Sequence, residues 1–111
     1  MTQAPSSSNN VNTIEDIFSI ATPILKKFNV SAAYLFGSFA KGSHSHASDV
    51  DILVEFTPEV EKKLTIMTLV ELKSELEEAL GRNVDIVQER FILHPIVRAS
   101  IQQSKLLIFN T

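Results

Sequence analysis

The sequence predicts an α/β (α+β) fold, a small mixed β-sheet with helices packed mainly on one face. Three observations predict it. Four short apolar runs, at 30–36, 49–56, 83–88 and 105–109, have the length of strands and are separated by stretches with helical spacing. The resulting order of helix, strand, short helix, strand, helix, strand, helix, strand suits a layer of helices laid against a sheet. The run DVDILVEF, 49–56, also alternates: Val50, Ile52, Val54 and Phe56 share one face, and Asp49, Asp51, Leu53 and Glu55 the other.

Taken in order, residues 1–12 are polar and read as a flexible arm with too little apolar surface to order itself. A single folded domain is expected over 13–111. Residues 13–28 carry Ile14, Ile17, Phe18, Ala21, Ile24, Leu25 and Phe28, the spacing of a helix, with Asn12 as its cap and Glu15 three residues on. Pro23 lacks an amide hydrogen and should kink this helix, or start a second one capped by Thr22. VSAAYLF, 30–36, is a short buried strand with Tyr34 in the core, and Gly37 to Gly42 a tight turn opening a short helical piece. Pro58 ends the strand at 49–56. The clearest helix covers 61–80, with Leu69, Leu72, Leu76 and Leu80 as its apolar stripe and Gly81 as its stop. In NVDIVQ, 83–88, Val84 and Ile86 face away from Asp85 and Val87. A helix over 93–103, started by His94 with Pro95 in its first turn, and a strand at 105–109 complete the chain.

Composition narrows the function. With 111 residues, 44% hydrophobic and 21% charged, the chain has the makeup of one globular domain. A net charge of −3 with scattered Lys and Arg argues against direct nucleic-acid binding, which needs clustered cations. The absence of cysteine excludes disulfides, thiolate metal sites and cysteine nucleophiles. No apolar run approaches the ~18 residues that cross a bilayer, and the N-terminus does not pattern as a secretory signal. A cytoplasmic protein without membrane contact is expected.

The stretch YLFGSFAKGSHSHASDVDILVEF, 34–56, carries the chemistry. Strand residues i and i+2 lie on one face, ~6.5–7 Å apart, so Asp49 and Asp51 project together. Two such carboxylates repel unless a cation intervenes. A hard divalent ion such as Mg²⁺ takes oxygen ligands and often combines one or two carboxylates with substrate phosphates. Asp85 would supply a third carboxylate, enough for two ions, if its strand pairs with 49–56. A lone Asp-x-Asp is more often a turn residue followed by an exposed one; the Gly37–Ser38 pair shifts the balance. It follows a strand and precedes a helix start, where backbone N–H groups face an anion, and glycine lets that backbone approach closely.

Gly-Ser, ten residues, then Asp-x-Asp resembles the signature of the polymerase-beta-like nucleotidyltransferases. The chain is most similar to the minimal nucleotidyltransferases, the MNT antitoxins paired with HEPN toxins, over roughly 13–109; LGRNVDIV and HPIVRASI match that family's third-carboxylate strand and terminal helix. The resemblance implies a nucleotidyltransferase fold. It implies that Gly37 and Ser38 hold nucleotide phosphates, that Asp49, Asp51 and Asp85 bind Mg²⁺, and that Asp85 serves as general base. It implies transfer of AMP from ATP to a hydroxyl, often of tyrosine, on a HEPN toxin held in a hetero-oligomer. The family often has Arg at Lys41; Lys keeps the charge but loses the two-pronged phosphate geometry, so a phosphate contact and a plain exposed side chain both stand.

Larger members add a second domain for the acceptor. Here nearly all of the chain is spent on the core, which points to a protein acceptor. His44 and His46 read as part of a loop over the nucleotide rather than as metal ligands. The Glu-rich face at 71–78 is a solvated face or a surface for a basic partner. The competing reading is a binding module that neutralises its partner by complex formation alone.

Overall fold

The computed structural model describes residues 13–37, 40, 42, 49–88 and 91–111. The expected arm at 1–12, Ser38, Lys41, His44 and His46 lie outside them.

Helix α1 spans Ile14–Lys27. Its cap is Thr13 rather than Asn12, the Thr13 hydroxyl accepting from the Asp16 amide at 3.1 Å. Asp16 stands in the first turn and Lys26 and Lys27 in the last, each sign where the helix dipole favours it. The helix runs through Pro23 without a second start. Pro23 is exposed, so water can take the carbonyl bond it vacates, and the Thr22 hydroxyl donates back to the Phe18 carbonyl at 2.6 Å instead of capping anything. Ile17, Ala21 and Leu25 are the buried stripe.

Strands β1 (Ala32–Phe36), β2 (Val50–Glu55), β3 (Val84–Gln88) and β4 (Leu106–Asn110) form one sheet in the order β3-β2-β1-β4. β1 pairs antiparallel with β2 and with β4, whereas β2 and β3 are parallel. A parallel pair needs a long crossover, and two helices supply it: α2 (Pro58–Lys63) and α3 (Ile66–Leu80). The expected single helix at 61–80 is therefore two. Thr57 caps the first, with Pro58 in its opening turn, and Leu64 ends it in extended backbone. Thr65 then caps α3 by accepting from the Thr68 amide at 3.2 Å. Pro58 ends a strand, as expected, and also opens a helix, which its missing N–H permits.

The core lies between the helices and one face of the sheet. Ile17 and Leu25 of α1, Leu72, Leu76 and Leu80 of α3, and Val50, Ile52, Val54 and Val84 of the strands make one cluster. Gly81, at φ +69°, stops α3 as expected. Leu53, placed by alternation on the acidic face, is fully buried outside that cluster, so the opposite face is partly covered too. Tyr34, in register with Leu53, is half-buried, and the Lys105 ammonium lies 4.1 Å from its ring centroid. Helix α4 (Pro95–Ser104) is capped by His94, whose Nδ1 accepts from the Ile96 amide at 3.3 Å.

A side-chain clamp ties α3 to β3. Glu77 Oε2 accepts from Lys73 Nζ at 2.7 Å and from the Val84 amide at 3.0 Å, and Lys73 Nζ also donates to the Val84 carbonyl at 2.8 Å. The Lys73 hydrogen bond first, then the Val84 amide, hold the Glu77 carboxyl below its ordinary 4.5. A lowered carboxylate value stabilises the fold above the unfolded value, and that stability is lost as pH falls through the folded one. Glu77→Gln is expected to cost ~1 kcal/mol at neutral pH, read as a midpoint ~4 °C lower in thermal melting. The gap should narrow in acid.

Candidate active site

The pairing register assembles the site. β2 and β3 run parallel with Asp51 opposite Asp85. Neighbouring strands lie ~4.8 Å apart and register partners face the same way, so these two carboxylates stand side by side. Asp49 precedes β2 on the same face and is exposed. Asp51 is half-buried and Asp85 exposed. Burial first, then the charges of Asp85 and Asp49, push the Asp51 carboxyl above its ordinary 3.8.

Gly37 closes the site from the other side. Phe36, the last residue of β1, is in register with Asp51, so the chain leaves β1 beside that carboxylate. Gly37 turns there with φ +73°. A Cβ at this position would overlap Asp51 Oδ2 and stand 3.2 Å from its Cγ. Glycine is required twice over, for the left-handed backbone and for the close approach.

Thus Gly37, Asp49, Asp51 and Asp85 come together, while Ser38 lies outside the described residues. Among the described residues, no three His, Cys, Asp or Glu side chains already close around a metal position. The donor set still fits a hard cation. It is all carboxylate oxygen, and Asp51 carries the cost of burial and of two like charges, which a divalent ion would relieve. A site of this kind takes its remaining ligands from water and substrate phosphate. A cavity of about 690 Å³, lined by Phe28, Asn29, Val60 and Lys63 among others, includes none of these residues. A smaller groove of about 180 Å³ does include Asp85. Sequence reasoning missed this groove, because it depends on α3 crossing beside the edge of β3. No described helix is long and apolar enough to cross a membrane.

The chain belongs to the polymerase beta nucleotidyltransferase family, whose model matches residues 19–111. Among relatives, it is 43% identical over 88 residues to a candidate protein adenylyltransferase of Methanocaldococcus jannaschii, covering 79% of this chain and 89% of that one. It is 33% identical over 95 residues to the protein adenylyltransferase MntA of Thermococcus cleftensis, covering 82% and 92%. Its fold matches a toxin–antitoxin crystal structure with AMP-PNP at a TM-score of 0.65 and 25% identity, covering 80% of this chain and 69% of that one. It also matches, at 0.64 and 21% identity, a chain in the structure of a tri-AMPylated Shewanella oneidensis HEPN toxin with its MNT antitoxin, covering 89% and 74%.

Proposed function

We propose that this chain is a Mg²⁺-dependent protein adenylyltransferase acting as an antitoxin, transferring AMP from ATP to a tyrosine hydroxyl of a HEPN toxin. The observation that carries the reading is the Asp51–Asp85 register, with Asp49 alongside and the Gly37 backbone against Asp51. Support comes from MntA, a protein adenylyltransferase, and from the toxin–antitoxin pair that binds AMP-PNP.

Asp49, Asp51 and Asp85 would hold the metal. Bound there, Mg²⁺ would neutralise charge on the triphosphate and on the attacking oxygen. The backbone at Gly37 and the Ser38 hydroxyl bind phosphate and orient the α-phosphorus. Asp85, exposed like Asp49 and carried on the outermost described strand, takes the proton from the acceptor hydroxyl. The hydroxyl oxygen forms a bond to the α-phosphorus, the α–β anhydride bond breaks, and pyrophosphate leaves.

The test is the intact mass of the HEPN protein encoded beside this chain, after incubation with it and Mg-ATP. A gain of one or more adenylyl units is expected. An unchanged mass in a stable complex would replace catalysis with neutralisation by binding.

A further inference from the structure

The groove at Asp85 has a composition that phosphate binding does not use. Ile66, Leu69 and Val70 of α3 form one wall, and Ile86 and Gln88 of β3 the other. Asp85, whose neighbours Val84 and Ile86 turn to the other face of the sheet, also lines the groove. Ile66 is 79% exposed and Val70 47%, with Met67 beside them at 63%. Three large apolar side chains left in solvent on one helix start mark a contact surface more than a solvated face.

The strand edge adds polar anchors. The Asn83 carbonyl accepts from the Val50 amide at 2.9 Å, so it faces β2. The Val84 amide and carbonyl face the other way, into the Glu77–Lys73 clamp. Strand alternation then turns the backbone groups of Ile86 and Gln88 outward, toward the groove. Among the described residues the sheet ends at β3. Lys73 lines the groove but is engaged by Glu77, which leaves little positive charge for a nucleotide or nucleic acid. The volume, about 180 Å³, is below the ~300–1,000 Å³ typical of small-molecule sites and suits one protruding side chain.

We propose that this groove docks an apolar segment of the protein acceptor and carries its hydroxyl to Asp85. The inference rests on adenylyl transfer as the reaction, since only then must an acceptor reach that carboxylate. The apolar wall is continuous with the proton-accepting residue, which a surface serving an unrelated partner would not require. Ile66 and Val70 thereby select the acceptor, while Gly37 and the aspartates handle the nucleotide.

The test is a double variant, Ile66→Ser with Val70→Ser, measured against the neighbouring HEPN protein by titration calorimetry and by transfer kinetics. Both positions are exposed, so the fold should tolerate them. The expected result is a Kd and a KM raised at least ~10-fold, as for loss of buried apolar anchors. kcat and the melting shift with Mg-ATP should be unchanged. Leu106→Ser with Leu107→Ser, on the exposed part of the far edge strand, should leave Kd alone. A folded Ile66→Ser, Val70→Ser variant with wild-type Kd and KM overturns the docking groove while adenylyl transfer stands. Binding that weakens in this variant, with no AMP transferred even by the native chain, retains the groove as a contact site and overturns transfer.

Discussion

Asp51→Asn is expected to cut adenylyl transfer at least ~100-fold, because metal-assisted charge stabilisation is worth several kcal/mol and each 1.36 kcal/mol is tenfold. The same change should make the metal-free protein more stable at neutral pH. The Asp51 carboxyl is raised above 3.8 by burial and by the charges of Asp85 and Asp49, so its ionised form is disfavoured in the fold. With the folded value above the unfolded one, the fold binds the proton more tightly. Asp51 therefore costs little in acid and progressively destabilises the fold as pH rises through the folded value. Thermal melting with and without Mg²⁺ reads both effects. The Asn variant should melt higher than the native chain at neutral pH, converge with it in acid, and gain less from Mg²⁺. An equal or lower midpoint at neutral pH would mean that the three carboxylates do not strain the empty site, and the metal assignment would lose its physical basis.

Gly37→Ala is expected to lose both stability and activity. Its φ of +73° disfavours any side chain, and the new Cβ would overlap Asp51 Oδ2. The backbone penalty alone is ~1–2 kcal/mol. Moving the Asp51 side chain adds to it and displaces a proposed metal ligand. Gly42 provides an internal comparison, since its φ is +75° but a Cβ there would meet nothing within 4 Å. Gly42→Ala should show only the backbone penalty. A midpoint for Gly37→Ala at least several degrees below that of Gly42→Ala measures the overlap, since ~1 kcal/mol corresponds to ~4–8 °C in a domain of this size. Adding Asp51→Ala to Gly37→Ala should recover part of the loss, because the two substitutions share a contact and cannot be additive. Equal midpoints for the two alanine variants would place Asp51 away from the Gly37 turn.

Much of this was legible in the sequence because period-two alternation is a local property. Asp49 and Asp51 on one face, and Asp85 opposite Val84 and Ile86, follow from counting along a strand. The side-by-side placement of Asp51 and Asp85 was conditional on which strands pair, and the register meets that condition. The break at Leu64–Thr65 was hidden because apolar residues that pack against the core, Val60 and Leu64 before it and Leu69 after it, stand on both sides, while the capping threonines at 57 and 65 act through hydroxyl bonds that periodicity does not register. Burial of Leu53 was also invisible, since a strand pattern says which face a residue takes and not what covers that face. The Asp85 groove and the Glu77 clamp depend on how α3 lies along β3, a tertiary relation with no local signature.

Among the described residues β3 is an edge strand joined to the sheet on one side only, and Asp85 is 34 positions beyond Asp51 (85 − 51). No local segment contains both halves of the site. During folding, closure of β2 on β3 must span the whole helical crossover, so the proposed site is completed by a longer-range step than the β1–β2 pairing. In the mature fold the reverse path is open as well. Fraying of this one strand separates Asp85 from Asp51 while the α1–α3 core stays packed, and such sub-global opening requires less free energy than unfolding. Hydrogen exchange at Asp85 and Val87, whose amides face β2, would then track the fraction of molecules whose site is dismantled. A partner seated along that edge would slow the exchange and hold the two halves of the proposed site together for as long as it stayed bound.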